Sequence, residues 1–278
     1  MSVLRALGSE FEKVFTTRMW WLLALLLVGY VAFLAGGFGA FLGWAIDDPE
    51  AAAAAGGAGG APLPVGADPA PLVYSFATSI GYVFPVLLGA LAVTGEFRHR
   101  TLTPTFLAEP HRSVVLGAKF VSELLLGAGF GVIAFLTSVG TGAAALAAFG
   151  LDTELGEPDT WALIGRGVLA MALWATIGVG LGSLVPNQVA AIVIVLAFTQ
   201  FIEPILRLAA SLNDVTATIG QFLPGAASDA LVGASFYSIA SVGAAESLDW
   251  WQGGLVLLAI GVVATLIGGA TTWRRDVT

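Results

Sequence analysis

Six stretches of this sequence are apolar over roughly 20 residues or more, the length that a helix needs to cross the hydrocarbon core of a bilayer. Only 11% of the 278 residues are charged and 57% are hydrophobic, whereas a soluble domain has about 25% charged residues. The sequence therefore predicts an all-α, polytopic membrane protein with about six transmembrane helices, forming a single transmembrane domain over residues 1–278. The predicted spans are residues 19–44, 72–94, 114–149, 160–184, 188–210 and 253–273.

The segments on either side of the first span differ in character. Residues 1–18 mix charged and apolar residues at helical spacing, which predicts an N-terminal amphipathic helix on the membrane surface. Residues 45–71 contain the low-complexity run AAAAAGGAGGAPLPVGADPAP, which has no means of forming a core and predicts a mobile outer loop. The apolar positions of the surface helix are Val3, Leu7, Phe11 and Val14.

Residues 212–252, which precede the last span, allow two interpretations. The first is a set of short outer helices that dip partly into the membrane. The second is a seventh span near residues 219–244, which would place Pro224, Gly225 and Asp229 within the bilayer. We favour the short helices, because a seventh span would also move the basic C-terminal end of the chain to the outer side.

Basic residues determine the predicted orientation, because they collect on the cytoplasmic side of membrane proteins. With both chain ends in the cytoplasm, nine of the 11 basic residues fall on the inner side, and only Arg166 and Arg207 fall on the outer half. Tryptophan, which prefers the membrane boundary, lies at a predicted span end in every case except Trp174. The inner basic residues are Arg5, Lys13, Arg18, Arg98, Arg100, Arg112, Lys119, Arg274 and Arg275.

The composition argues against several kinds of site. The chain has no Cys and only two His, so we expect neither disulfides nor a metal site. Its formal net charge of −8 argues against nucleic acid as a partner. Neither histidine lies in a span and Lys119 lies at a span end, which disfavours intramembrane proteolysis. We therefore do not expect an enzyme.

Residues 95–113, between spans two and three, form the only long cytoplasmic loop and combine charged, aromatic and aliphatic side chains. Pro104 and Pro110 oppose a continuous helix and favour a short helix bounded by turns. Such a segment is either a solvated basic loop that fixes the topology or a docking surface for another protein. The residue types alone leave both interpretations open.

A few polar residues fall within the spans, where charge is expensive. Glu203 and Arg207 in span five are four residues apart in the order that favours an ion pair, and Gln200 precedes them. We interpret Glu203 and Arg207 as a structural ion pair near the outer surface; the alternative is that these two and Gln200 are pathway or gate residues. Lys119 and Glu123 in span three have the same spacing in the weaker order, and we interpret them as a structural anchor.

Several motifs resemble those of the permease subunits of ABC-2 type transporters. Features before span one and within span five are also similar to that family, and the resemblance in topology extends over the whole chain. The sharp motif covers residues 95–119, in which His111 stands where a second basic residue is usual. The motif consists of Gly95-Glu96-Phe97-Arg98, Thr101-Leu102, Pro110-His111-Arg112 and Lys119. The other similar residues are Glu10, Lys13, Trp20, Trp21 and Glu203-Pro204.

The resemblance implies a permease that depends on partner chains. The sequence has no G-x-x-x-x-G-K-[ST] phosphate loop, so we expect ATP and Mg to be bound by a separate ATP-binding cassette subunit, with no cofactor on this chain. We also expect a second, identical permease subunit. The coupling residues that the resemblance implies are Glu96, Phe97, Arg98, Arg100, Thr101, Leu102, Phe106 and Leu107.

The expected function is ATP-driven export by alternating access across the cytoplasmic membrane of a bacterium. The direction follows from the resemblance alone, and the weakly charged interior suits an amphipathic or hydrophobic substrate. One alternative is an ion-coupled secondary carrier, which would need several ionisable groups at mid-membrane depth. Another is a membrane anchor or sensor that transports nothing.

Overall fold

The computed structural model describes residues 3–54, 68–210, 212–234 and 248–273. Of these described residues 85% are helical, and none lies in a strand. Six helical segments are long and apolar enough to cross a membrane, so the prediction of an all-α, multi-pass membrane protein is confirmed. We number these segments as spans 1 to 6: Met19–Asp47, Pro69–His99, Arg112–Ala148, Pro158–Leu184, Gln188–Ala210 and Trp250–Thr271.

Four of the spans are single helices, and two are interrupted. Span 2 breaks at residues 80–82, and span 5 contains a π-helix. The single helices are α2 (Met19–Asp47), α7 (Arg112–Ala148), α8 (Pro158–Leu184) and α13 (Trp250–Thr271). Span 2 consists of α4 (Pro69–Ser79) and α5 (Val83–His99), and span 5 consists of α9 (Gln188–Ala197), the π-helix Phe198–Ile202 and α10 (Glu203–Ala210).

The connecting segments contain more helix than the sequence predicts. Span 1 continues to Asp47, and residues 49–54 form the helix α3 (Pro49–Ala54), so the predicted loop 45–71 begins with helical residues. Most of the predicted loop 95–113 is also helical, because α5 extends to His99 and α6 (Leu102–Ala108) follows. Pro104 lies in the first turn of α6, where a proline needs no backbone donor, so the predicted short helix bounded by turns is confirmed.

The segment before span 6 contains two short helices, α11 (Asp214–Gly220) and α12 (Pro224–Val232). The 9 residues of α12 extend only about 14 Å, well below the roughly 30 Å of a hydrocarbon core. The described part of residues 219–244 therefore contains short helices, as predicted, and no seventh span. Residues 235–247, and with them the rest of that alternative, lie outside the described residues, as do Arg274 and Arg275.

Span 4 lies at the centre of the bundle, where α8 packs against α5, α7 and α13. Glycines allow the closest of these contacts. Gly178 of α8 faces the backbone of Val86 and Ala90 in α5, and Gly89 of α5 faces the backbone of Ala175 and Val179 in α8. Small residues at facing positions let the two helix backbones approach each other directly, which is how membrane helices gain packing energy.

We expect Gly178→Ala to destabilise the bundle by about 1–3 kcal/mol, because overpacking a tight contact has costs of this size. A β-carbon at Gly178 would overlap the Val86 carbonyl oxygen, and backbone atoms cannot move aside as a side chain can. Gly165→Ala in the same helix is the matched control, since nothing lies within 4 Å of its β-carbon position. The thermal unfolding midpoint in detergent should fall for Gly178→Ala and stay equal or rise for Gly165→Ala. Equal midpoints would contradict the packing argument.

The two ends of the bundle have different short elements. We call the end beside α1 (Val3–Phe15) and α6 the α1 face, and the end beside α12 the α12 face. α1 packs against α7, and its buried residues are Ala6, Glu10 and Val14, spaced four apart along one side of the helix. The predicted helix is thus present, but a glutamate lies in the middle of the side that faces the bundle.

Candidate functional site

The segment that connects spans 2 and 3 forms a small, well-anchored projection at the α1 face. α5 ends at His99, and the left-handed backbone of the next residue, Arg100 (φ 55°), turns the chain into α6. Phe106 of α6 and Phe97 of α5 both make edge-on contacts with the Trp273 ring at the end of span 6, with centroids 5.6 and 6.4 Å away. Arg112 donates a 2.5 Å hydrogen bond to the Trp273 carbonyl and places its guanidinium 4.9 Å from the Phe106 ring centre. α6 is therefore fixed to spans 2, 3 and 6.

The structure divides the eight predicted coupling residues into an inner and an outer group. Glu96 and Leu102 are buried, and Phe97 and Phe106 are half-buried against Trp273. The exposed group, which a partner could touch directly, consists of Arg98, Arg100, Thr101 and Leu107.

Beneath this projection lies a group of five ionisable side chains, four of them buried and Lys13 partly exposed. We call it the α1-face charge cluster: Glu10, Lys13, Glu96, Lys119 and Glu123. Lys119 is 1% exposed, and its ammonium lies 2.5 Å from Glu10 Oε2 and 3.1 Å from Glu96 Oε1. Lys13 lies 2.7 Å from both Glu10 Oε1 and Glu96 Oε1. The cluster thus joins the surface helix α1 to spans 2 and 3 through direct ion pairs. Lys13 Nζ also lies 3.5 Å from the Thr105 hydroxyl of α6.

The opposite charges in the cluster balance only in part. Three carboxylates face two ammonium groups, a formal net charge of −1, and one oxygen each of Glu96 and Glu123 is buried with no hydrogen-bond partner among the described residues. Burial alone would lower the pKa of Lys13, but the carboxylates of Glu96 and Glu10 hold it above its usual value. Lys13 therefore stays charged throughout the physiological pH range and keeps attracting both acids.

The sequence alone pointed to all five members of this cluster but did not predict that they lie together. Glu96 and Lys119 lie in the motif that resembles ABC-2 permeases, Glu10 and Lys13 are among the other similar residues, and Lys119 and Glu123 were paired by spacing. Instead, the closest partner of Lys119 is Glu10, 109 residues away. The signal that could have grouped them is the scarcity of charge in an apolar chain, because a charge buried in such a protein needs an opposite partner.

The second polar site lies in the half of span 5 that is nearer the α12 face, and its geometry depends on Pro204. This residue has no N–H to donate, and the helix before it widens to a π-helix in which the Glu203 N–H bonds to the Phe198 carbonyl. The Thr199 carbonyl thereby loses its usual helical donor, and the Tyr82 hydroxyl donates to it across the bundle at 3.3 Å. Tyr82 comes from the break in span 2, so the two interrupted spans meet here.

Glu203 and Arg207 form the predicted pair, and a third ionisable residue joins them. Arg207 Nε lies 3.5 Å from Glu203 Oε1, while Arg207 Nη1 donates a shorter hydrogen bond of 2.6 Å to Asp229 of α12. The backbone N–H of Gly225, in the first turn of α12, donates to Glu203 Oε1. The side chain of Glu203 fills the space where Gly225 has no β-carbon. The positive end of the α12 dipole therefore faces the carboxylate.

These residues line a pocket at the α12 face. Its walls come from α4, the break in span 2, span 5 and α12, and its cavity volume of about 10 Å³ has room for roughly one water molecule. Gln200, the third predicted pathway residue, is exposed on the surface of span 5 and does not line the pocket. The lining residues are Thr78, Ser79, Tyr82, Thr199, Glu203, Pro204, Arg207, Gly225, Ser228 and Asp229.

Fold and sites together define a multi-pass α-helical membrane protein with a charge cluster at one face and a polar pocket at the other. Comparison with protein-family models and with curated proteins finds no match for this chain.

Proposed function

We propose that this chain is the permease subunit of an ATP-driven transporter of the ABC-2 type. The observation on which the proposal chiefly depends is the α1 face, where the exposed short helix α6 is joined to spans 3 and 6 by aromatic and cation–π contacts of Phe106. The neighbouring helix α1 is joined to spans 2 and 3 by ion pairs. A movement of α6 or α1 would therefore displace spans 2, 3 and 6 through these contacts. A helix that only fixes the topology needs no such connections.

In this proposal the α1 face is cytoplasmic, in the cytoplasmic membrane of a bacterium, and α6 docks on a separate ATP-binding cassette subunit. Arg98, Arg100 and Leu107 would contact that subunit, and Glu96 would act from within, by holding Lys13 of α1 and Lys119 of α7. ATP and Mg would be bound by the partner. Nucleotide-driven movement of the partner would then change the packing of the spans and alternate access for an exported amphipathic or hydrophobic substrate.

A second copy of the chain would complete the transport pathway. Span 5 is one of the least buried spans, and its Gln200 is exposed at membrane depth. Its Nε2 donates one hydrogen bond to Thr199 Oγ1 at 3.3 Å. The rest of an amide that faces lipid has few hydrogen-bond partners, so it favours a protein neighbour at this surface.

We expect Leu107→Glu to reduce co-purification of the ATP-binding subunit roughly tenfold or more, because a charge replaces an apolar anchor at the centre of the docking surface. Leu107 is 80% exposed, so the substitution breaks no contact inside the permease. The measurement is a pull-down in mild detergent of the tagged chain, co-expressed with the ATP-binding cassette subunits encoded in the same genome.

Leu212→Glu is the matched control, because Leu212 is also 80% exposed but lies between span 5 and α11, at the α12 face. It should leave co-purification unchanged. If both variants, and a chain with residues 97–107 replaced, retain the partner at the wild-type level, the docking proposal is wrong.

A further inference from the structure

The pocket at the α12 face is acidic. Its ionisable lining residues are Glu203, Asp229 and Arg207, two acids and one base, which gives a formal net charge of −1. Arg207 is already shared between both carboxylates, at 3.5 Å from Glu203 and 2.6 Å from Asp229. An anionic ligand would meet an excess of negative charge there, whereas a ligand with one positive charge would neutralise the pocket.

Glu203 offers an unused acceptor inside this pocket. Glu203 is only 2% exposed. Its Oε1 accepts a hydrogen bond from the Gly225 N–H, whereas its Oε2 is buried and accepts no hydrogen bond within the described residues. A buried carboxylate oxygen without a donor costs free energy, because it has lost its hydrogen bonds to water and no protein group replaces them. A donor supplied by a ligand would recover that free energy.

Two more lining groups suit a positively charged donor. The Ser79 hydroxyl oxygen is buried and also lacks a hydrogen-bond partner among the described residues, so it can accept a second hydrogen bond. The Tyr82 ring lines the pocket and stacks on Trp174 with centroids 4.4 Å apart. Aromatic rings attract cations through their negatively charged faces. The pocket thus combines a carboxylate, a hydroxyl and an aromatic ring.

The chemistry of the lining disfavours a divalent metal ion. Ca²⁺ takes six to eight oxygen ligands, and Mg²⁺ demands near-ideal octahedral geometry. In the part of the chain that the structure describes, no group of three or more acidic, histidine or cysteine side chains could hold a metal ion. An ammonium group needs only a few acceptors, because its three N–H donors form hydrogen bonds individually.

We propose that this pocket binds a primary ammonium group, which donates to Glu203 Oε2 and Ser79 Oγ beside the Tyr82 ring. The cavity of about 10 Å³ admits the ammonium head alone, so the rest of the ligand lies outside it, along the spans or in the lipid. The head belongs either to a free amine or to an aminolipid. If the chain is a transport permease, its substrates are amphiphiles with a primary ammonium head; this extension rests on the proposed function, whereas the binding itself does not.

The test uses the purified full-length chain in phosphatidylcholine nanodiscs, without any ATP-binding subunit. Hexylamine hydrochloride is the probe, and hexyltrimethylammonium chloride is its matched control, with the same chain and charge but no N–H donor. We expect hexylamine to raise the thermal unfolding midpoint in a saturable way, because a ligand that binds only the folded state stabilises it. We expect the trimethylated compound to have an effect at least tenfold weaker.

Substitutions of lining residues test whether hexylamine binds in this pocket. Glu203→Gln should weaken hexylamine binding tenfold or more, since it removes the charged acceptor, and Ser79→Ala should weaken it about threefold. Ser79→Ala alters no other hydrogen bond of the described structure, so it remains informative if Glu203→Gln does not fold. Glu154→Gln, which removes an acid between spans 3 and 4 outside the pocket, should leave binding unchanged.

Three results would overturn the proposal: no shift with hexylamine, equal shifts with both compounds, or equal shifts in wild type, Ser79→Ala and any folded Glu203→Gln protein. A shift produced by NaCl that hexylamine does not increase would assign the pocket to an inorganic cation instead. Nanodiscs with phosphatidylethanolamine distinguish the two supporting sources, because an aminolipid head would stabilise the chain and compete with hexylamine. Loss of ATPase docking in the pull-down leaves all of these outcomes unaffected.

Discussion

Replacing Lys119 with Met should lower the free energy of unfolding by about 3–5 kcal/mol, the cost of removing one partner from a buried ion pair. Lys119 is 1% exposed and contacts Glu10 at 2.5 Å and Glu96 at 3.1 Å. Without it, the α1-face charge cluster would keep three carboxylates and only the Lys13 ammonium. The measurement is equilibrium unfolding in mixed micelles, followed by tryptophan fluorescence.

Two further variants test whether charge is the cause. Lys13→Met should cost clearly less, because the Lys13 side chain is 36% exposed and water can replace part of its interactions. Lys119→Met combined with Glu10→Gln restores the net charge of the cluster to −1 and should recover part of the loss. A double variant that is no more stable than Lys119→Met would mean that packing of the lysine stem, and not its charge, is the larger contribution.

The sequence was sufficient to predict the spans because their length and hydrophobicity are local properties. All six appear in the structure, and the largest difference is at the end of span 2, which continues to His99 instead of residue 94. Pro104 and Pro110 likewise indicated the short helix α6. Whether a residue lies in a helix depends mainly on its neighbours in sequence, and lipid removes the other options for the backbone.

The contacts between spans could not be predicted in this way. The spacing rule paired Arg207 with Glu203, yet the shorter contact of Arg207 is to Asp229, 22 residues further along the chain. The rule also paired Lys119 with Glu123, whereas Lys119 bonds to Glu10 of the surface helix. Spacing along one helix says nothing about which other helix packs beside it, so the partner of a charged side chain on another span cannot be read from that spacing.

The separation of Gln200 from Glu203 has a specific cause. In a regular α-helix, residues three and seven apart share a side, so Gln200, Glu203 and Arg207 would face the same way. The π-helix Phe198–Ile202 adds one residue to the turn between them, which rotates the preceding helix by about 100°. Gln200 therefore faces outward while Glu203 faces the pocket. Pro204 is visible in the sequence, but the widened turn that accompanies it is not.

Replacing Arg207 with Met should destabilise the α12 face by about 3–5 kcal/mol, because it leaves Glu203 and Asp229 facing each other without the cation between them. Repulsion would push α12 away from span 5, so we also expect the backbone amides of α12 to exchange faster with deuterium. The global effect is measured as the loss of unfolding free energy in mixed micelles, and the local effect by hydrogen exchange with mass spectrometry.

Arg166→Met is the matched control, since Arg166 of span 4 makes a cation–π contact with the Trp250 ring at 5.3 Å. Losing that contact should cost only about 0.5–1 kcal/mol. Adding Glu203→Gln to Arg207→Met removes one of the two opposed charges and should restore slow exchange in α12, because the glutamine oxygen can still accept from the Gly225 N–H. If Arg207→Met costs no more than Arg166→Met, or if the double variant exchanges as fast as Arg207→Met, then charge balance does not hold α12 against span 5, and that contact depends on apolar packing alone.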